Sequence, residues 1–273
     1  MIAYTPARTD RKDLPTASII IPVFNQMAYT RQCLDHLMKY TEIPFELIII
    51  DNASTNGTAA FLCGVRATVL TNATNRGCAG AWNQGIAVSQ GQYVVLLNND
   101  VLVTPGWLEG LVAFMAATGH GIVSPAVREG QLNYDLLAYA EAFTRACARA
   151  TRPEVTGCCM VIAREVFERV GLFDEEFHAG TFEDIDFLWR ARRAAVTMAM
   201  TGAVLVHHFG QVTQREVRQL LGDYGRANAS RFVARWGRGV EGGWFARRAG
   251  RLRRFARRAF ERFRYGHTLI EVG

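Results

Sequence analysis

Residues 93–101 read Y-V-V-L-L-N-N-D-V, and this stretch constrains the fold more than any other. Val94, Val95, Leu96 and Leu97 form an apolar run without alternation. That is the pattern of a short strand buried on both faces, as in the parallel sheet of an α/β domain. Asn98, Asn99 and Asp100 end the run with side chains that hydrogen-bond or take metals. In parallel α/β sheets ligands bind just beyond the carboxyl ends of the strands, so the triplet is placed for chemistry. Asn and Asp also close turns for reasons of their own, and the triplet alone does not separate the two readings.

The same pattern recurs upstream. Residues 18–25, S-I-I-I-P-V-F-N, predict a first buried strand stopped by Pro22 and Asn25. Residues 29–40 put Cys33, Leu34, Leu37 and Met38 at helical spacing. Residues 45–50 predict a second strand with Asp51-Asn52-Ala53-Ser54 at its end, 58–62 a short helix, and 67–70 a third strand. Residues 75–85, N-R-G-C-A-G-A-W-N-Q-G, are a Gly-rich turn entering a helix that reaches Ser89. Strands alternating with helices in this way predict a mostly parallel sheet wrapped by helices. Three of the first four strands end in Asn or Asp: Asn25, Asp51 and the 98–100 triplet. Gathered on one sheet edge, they make a polar pocket with carboxylates.

Downstream, Pro105 opens a helix to about Ala117, and residues 122–125 predict a fifth strand. Residues 128–152 are ambiguous, with 131–150 fitting either a helix or a loop. Residues 155–162 resume strand character broken at Gly157, and 164–170 form a short helix ended by Gly171. In F-E-D-I-D-F-L-W-R, Glu183, Asp184 and Asp186 begin a helix running through Arg190, where acids suit the helix dipole. Capping alone does not account for both Asp184 and Asp186, and Phe182, Phe187 and Trp189 surround the acids with apolar bulk. Residues 201–208 predict a last strand closed by His207-His208. No repeat or linker interrupts residues 18–213, which read as one domain.

Composition excludes several classes. Half of the 273 residues are hydrophobic (49%) and 21% are charged, as in a soluble globular protein. No run of eighteen apolar residues marks a membrane-spanning helix. The amino end has no apolar signal-peptide core, which makes a cytoplasmic location the default expectation. Cys33, Cys63, Cys78, Cys147, Cys158 and Cys159 match neither a zinc site nor a C-x-x-C, and are expected as free thiols. A Rossmann dehydrogenase needs G-x-G-x-x-G after a strand, and the block at Gly77 has other spacing. A nucleotidyltransferase needs a Gly-rich loop after the first strand, where this chain has P-V-F-N-Q-M.

The net charge of +6 is uneven. Residues 246–273 carry nine arginines against Glu261 and Glu271, a net +7, which leaves −1 for residues 1–245. From Trp244 onward Leu252, Phe255, Ala256, Ala259, Phe260 and Phe263 fall on one helical face with arginines on the other. Such a helix either anchors at an anionic membrane surface or packs its Phe stripe on the main domain and leaves Arg in water. Confinement of the arginines to this helix argues against nucleic acid as a partner.

Seven blocks occur in order: I-I-I-P-V-F-N, L-I-I-I-D-N-A-S-T-N-G-T, N-R-G-C-A-G-A-W-N-Q-G-I, Y-V-V-L-L-N-N-D-V, R-E-V-F-E-R-V-G-L-F-D-E-E-F, F-E-D-I-D-F-L-W-R and V-H-H-F-G-Q-V-T. Together they closely resemble the family 2 glycosyltransferases, inverting enzymes of the GT-A fold that use nucleotide-sugar donors, in their bacterial rhamnosyltransferase-like form. The resemblance implies an N-terminal extension at 1–17, a GT-A domain at 18–215 and a basic helical extension at 216–273. It implies that Pro22, Phe24 and Asn25 line the base and ribose pocket, with Asp51 accepting from the base and Asn52 in the same nucleoside-holding block. Asn75, Gly77 and Asn83 would support the nucleotide and sugar, the glycine allowing close backbone approach.

The family's D-x-D element maps onto Asn98-Asn99-Asp100, with Asp100 the one charged ligand for Mg2+ or Mn2+. Asn98 departs from the acidic form of that motif. The cation would neutralise the departing nucleoside diphosphate. Asp184 would be the base that deprotonates the acceptor, Glu183 would hold the acceptor or assist, and His207 would complete the metal or diphosphate site, with His208 close behind. Phe182 and Trp189 would either stack on a sugar or pack in the core. The donor would be a UDP-, GDP- or dTDP-sugar, and the acceptor a glycan or lipid-linked glycan in cell-surface polysaccharide or glycolipid synthesis, met at the inner face of the membrane. The alternative is a non-catalytic nucleotide-sugar-binding protein, expected to have lost Asp100 or Asp184; both are present.

Overall fold

The structure, a computed structural model, describes residues 15–178, 180–210, 212–222, 224–237 and 244–272. The expected extension at 1–17 lies outside them except for its last three residues. In chain order the elements are β1 (Ala17–Val23), α1 (Met27–Tyr40), β2 (Phe45–Asp51), α2 (Thr58–Leu62), β3 (Thr68–Thr71), α3 (Gly77–Val88), β4 (Tyr93–Leu97), β5 (Val101–Leu102), α4 (Trp107–Thr118) and β6 (Ile122–Glu129). Then follow α5 (Leu136–Cys147), β7 (Thr151–Arg152), β8 (Cys159–Ala163), α6 (Glu165–Val170), α7 (Glu183–Arg193), β9 (Met198–His208), α8 (Val212–Leu221), α9 (Gly225–Trp236), α10 (Trp244–Tyr265) and β10 (Ile270–Val272).

One sheet runs in the order β3-β2-β1-β4-β8-β6-β9-β5, with β10 added on β6 and β7 on β9. Its first four strands are parallel. β8 runs antiparallel between β4 and β6, and β9 and β10 both run parallel to β6. Ile19, Ile20 and Ile21 of β1, and Val94 to Leu97 of β4, are wholly buried, as unbroken apolar strands covered on both faces must be. α3 reaches this sheet because residue 85 is glycine: a Cβ there would stand 2.4 Å from Cγ2 of Ile20. Since the strand ends are in register, with Val23 opposite Asp51, the polar residues that follow them collect along one edge.

The structure departs from the sequence expectations in three places. β6 continues past Pro125 to Glu129 through a register shift between Pro125 and Ala126, so its end reaches the same edge. The ambiguous 131–150 segment contains α5, capped by Asp135, whose Oδ1 accepts from the amides of Leu137 and Ala138 at 3.0 and 3.1 Å. α5 covers a second, smaller core of Phe143, Cys147, Met200, Leu205 and Leu269.

The third departure is the C-terminal segment. Leu269 belongs to that second core, and β10 pairs with β6. Glu261 is buried against Arg152, Oε1 accepting from Nε at 2.6 Å. Of the two readings of the tail, packing of the Phe stripe on the main domain is not what the structure has: Phe255, Phe260 and Phe263 are exposed, and the helix docks by its polar side. The side chain of Leu252 lies outside the described residues. All six cysteines are free thiols. Among the described residues no helix is long and apolar enough to cross a membrane.

Candidate active site

A cavity of about 370 Å3 opens at the carboxyl edge of the sheet. Pro22 and Phe24 wall it at the end of β1, Asn52 after β2, and Asn75 and Gly77 at the head of α3. Asn98, Asn99 and Asp100 follow β4, Glu183 and Asp184 begin α7, and His208 ends β9. Most of the residues singled out from sequence therefore meet in one space.

Several polar residues brace the wall and the loops behind it. Asn52 Nδ2 donates to Oδ1 of Asn75 at 2.9 Å and to the carbonyl of Gly77 at 3.1 Å, while its Oδ1 accepts from the amide of Arg76 at 2.9 Å. One side chain thus fixes the whole Gly-rich turn. Asp51 is buried and its Oδ1 accepts from the amide of Ser54 at 3.0 Å. Asn25, held at φ 54°, accepts from the amide of Thr55 at 2.8 Å and donates to Glu216 of α8 at 2.6 Å. Asn25 and Asp51 shape the loop around the cavity without forming its wall.

Asn83 also lies off the wall. Its Nδ2 donates to the carbonyl of Phe173 at 2.9 Å and to Glu175 at 3.0 Å, and its Oδ1 accepts from the amide of Phe173 at 3.0 Å. All of its hydrogen-bonding capacity toward the 173–175 loop is engaged, so it positions that loop instead of meeting a ligand.

The two histidines separate because neighbouring strand residues point to opposite faces. His207, the residue favoured from sequence, is wholly buried, its Nδ1 paired with the hydroxyl of Tyr134 at 2.9 Å. Burial, then the neighbouring charge of His208, holds its pKa down at about 4. His208 is the one that meets Asp100: Nε2 lies 3.2 Å from Oδ1 of Asp100, and Nδ1 lies 3.2 Å from Oε1 of Glu129. Burial opposes a charge on this ring, but Cys158 and the contacts with Asp100 and Glu129 outweigh it and hold its pKa at about 11.

The corner favours positive charge, whether from an imidazolium or from a metal ion. The approach of Nε2 to Asp100 lacks hydrogen-bond alignment, and this buried nitrogen has no hydrogen-bond partner among the described residues. A carboxylate oxygen and an imidazole nitrogen 3.2 Å apart in the cavity lining are of the donor types that a divalent cation takes. Among the described residues no cluster of three or more His, Cys, Asp or Glu is built to hold a metal alone. A cation here would take its other ligands from phosphate oxygens and water, as Mg2+ commonly does.

The acid pair stands at the head of α7. Phe182 precedes it at φ 74°, a conformation an aromatic residue adopts only under constraint, and its carbonyl accepts from the amide of Asp186 at 2.9 Å. Asp186 is wholly buried and engaged by Arg190 at 2.9 Å, Arg235 at 3.0 Å and Nε1 of Trp236 at 2.9 Å. It ties α9 to α7. Glu183 and Asp184 are left facing the cavity. Burial, then the charge of Asp184, pushes Glu183 well above the usual carboxylate range; Oε2 of Glu183 has no hydrogen-bond partner among the described residues. Burial raises Asp184 as well, but the amide of Ile185, donating to its Oδ1 at 2.8 Å, pulls it back. Asp184 is thus the readier of the two to ionise.

Sequence reasoning missed Glu129, Thr156, Gly157 and the α8 residues Val212, Thr213 and Val217, all in the wall. Glu129 obeys the strand-end rule that found Asp100. It was hidden because β6 was expected to stop at Pro125.

The profile of glycosyl transferase family 2 matches residues 18–171. An uncharacterized protein of Sinorhizobium fredii, y4gI, is 29% identical over 222 residues, covering 71% of this chain and 24% of its own. The glycosyltransferase AglE of Haloferax volcanii is 25% identical over 220 residues, covering 75% of this chain and 72% of its own. This chain thus spans from about a quarter to about three quarters of the length of these relatives. Among solved structures, the mannosyltransferase PcManGT of Pyrobaculum calidifontis, in complex with GDP-Man and Mn2+, superimposes with a TM-score of 0.53 at 23% identity. That alignment covers 73% of this chain and 58% of the other.

Proposed function

The chain belongs to glycosyl transferase family 2 and has the GT-A fold, and from that premise we propose that it is an inverting transferase moving a sugar from a nucleotide-diphosphate donor to a hydroxyl acceptor. One observation carries the reading: a single cavity holds Asp100 beside His208 on one strand edge and the Glu183–Asp184 pair at a helix head. An inverting displacement needs both, a place that favours charge near the diphosphate and a base at the acceptor.

On this reading Asp184 accepts the proton of the acceptor hydroxyl as that oxygen attacks the anomeric carbon. Burial makes Asp184 a stronger base than a free aspartate. Glu183, raised by burial and by the charge of Asp184, holds its proton more firmly than a free glutamate and can offer a hydrogen-bond donor to the acceptor. Pro22 and Phe24 pack on the nucleoside, and the turn fixed by Asn52 presents Gly77 to the donor. Asp100 and His208 would hold a divalent cation, Mg2+ or Mn2+, which when bound supplies Lewis-acid charge to the departing diphosphate. The GDP-Man and Mn2+ in the PcManGT complex support a nucleotide sugar and a divalent cation as the ligand classes. The acceptor is a glycan or lipid-linked glycan at the cytoplasmic face of the membrane, in cell-surface polysaccharide or glycolipid synthesis.

Presence of both Asp100 and Asp184 in one cavity weighs against a non-catalytic binding protein. The deciding experiment is a panel of UDP-, GDP- and dTDP-sugars scored for thermal shift and for metal-dependent hydrolysis. One nucleotide series should give both; a shift with no hydrolysis or transfer under any metal would favour the binding protein.

A further inference from the structure

α10 lies on the protein with its amphipathic character turned outward. Its docked side is polar: Glu261 pairs with Arg152, Arg257 Nη1 meets Glu154 at 2.6 Å, and Tyr265 packs on the second core. Residues 257, 261 and 265 are spaced four apart and share one face. The opposite face carries Phe255, Ala256, Ala259, Phe260 and Phe263, all exposed, the three phenylalanines at 73%, 60% and 91%. At the helical pitch these five positions fill one arc of about 140° centred away from Glu261. Exposed Arg258 and Arg262 border that arc on one side and exposed Arg264 on the other.

Three phenylalanines in one exposed arc are unfavourable in water, and the arginine borders specify what covers them. We propose that this face docks on an anionic lipid bilayer, with Phe255, Phe260 and Phe263 entering the acyl boundary and Arg258, Arg262 and Arg264 meeting lipid phosphates. Charge selects this occupant. Residues 246–273 carry a net +7 and the rest of the chain −1, so a second copy docking by the same face would set arginine against arginine.

The anchor is also rigidly joined to the cavity. Glu261, held by Arg152, accepts from the amide of Leu269 at 3.0 Å and so fixes the turn into β10. β10 then pairs with β6, Val272 opposite Glu129, and Glu129 lines the cavity. Contact through α10 therefore sets how the cavity is oriented toward the bilayer. This inference goes beyond the transferase reading and does not depend on it.

Flotation of the full chain with phosphatidylglycerol-containing vesicles and with pure phosphatidylcholine vesicles tests it. The chain should float with the anionic vesicles alone, and high salt should release it. F255S/F260S/F263S and, separately, R258Q/R262Q/R264Q should each weaken vesicle binding about tenfold or more, at unchanged melting temperature because all six side chains are exposed. Equal recovery of the wild type and the triple-Phe variant overturns the proposal. So does a Phe-dependent dimer in sedimentation, which would make a second copy the occupant. Thermal shift by nucleoside diphosphates, read on the same samples, reports the donor site independently. A chain that binds nucleotide without floating removes the membrane and leaves the transferase, and one that floats without binding nucleotide does the reverse.

Discussion

A Cβ built on Gly157 would stand 2.4 Å from Oδ2 of Asp184. Gly157 has no left-handed φ, so alanine costs no backbone strain there and acts through contact alone. Gly157→Ala should push the Asp184 carboxylate out of place while leaving the nucleoside side of the cavity unchanged. The expected loss in kcat is between about tenfold and a hundredfold, the scale of an ångström-sized misplacement of a catalytic group. Donor-induced thermal shift should persist. Unchanged kcat would mean that the Asp184 position does not matter to turnover.

Asp184→Asn removes the proposed base at nearly constant shape. Transfer should be abolished while nucleotide-sugar binding survives, and a variant with normal turnover would end the assignment. The wild-type pH profile carries the same information. Burial raises both carboxyls, so the acid limb of kcat/KM should titrate above the ordinary aspartate range, with an apparent pKa that belongs to the coupled pair.

Glu183→Gln should trade activity for stability. Because the folded-state pKa of Glu183 is raised, its contribution to stability is present below the unfolded-state value and is lost as pH rises through the folded one. Above the unfolded-state value the native protein therefore bears the cost of keeping this carboxyl protonated or of burying its charge, and the uncharged amide bears neither. The melting temperature of Glu183→Gln should match wild type near pH 4 and exceed it increasingly toward pH 8. A difference that stays flat with pH would show that Glu183 does not titrate abnormally.

The site was legible where chemistry follows an unbroken buried strand. Asp51 and the 98–100 triplet sit at the ends of wholly apolar runs, and parallel pairing alone brings those ends together. Asn83 shows the limit of that reading: a polar residue in a helix named by its motif can be turned inward to hold a neighbouring loop, here at Phe173. Glu129 was hidden by a register shift that lets a strand continue past proline. His207 and His208 are equivalent in sequence, and only the phase of β9 decides which one faces Asp100. The tail pattern marked an amphipathic helix but not which side docks, because hydrophobic periodicity assumes that the apolar face is the buried one. A buried ion pair to Arg152, 109 residues away in sequence, decides between the two sides.

The histidine pair can be separated by metal response. Asp100→Asn and His208→Ala should each abolish most of the Mn2+-dependent part of the thermal shift seen with a nucleoside diphosphate. His207→Ala should keep that response while losing about 2–4 kcal/mol of stability, from the cavity it leaves and the partner Tyr134 loses. If His207→Ala lost the metal response at unchanged stability, the roles would be exchanged.

Arg152→Met tests how the C-terminal segment is held. The substitution leaves Glu261 buried without its cation, which costs roughly 3–5 kcal/mol for a pair of this kind. Adding Glu261→Leu removes the unpaired charge and should recover much of the loss, since an apolar pair of similar volume often equals a buried ion pair. Recovery should stop short of wild type, because Glu261 also accepts from the amide of Leu269, and leucine leaves that buried N–H unsatisfied at a cost of about 1–3 kcal/mol. Chemical denaturation of the three proteins measures each step. Full recovery in the double variant would show that the Leu269 amide finds another partner and that the ion pair adds no net stability over an apolar pair.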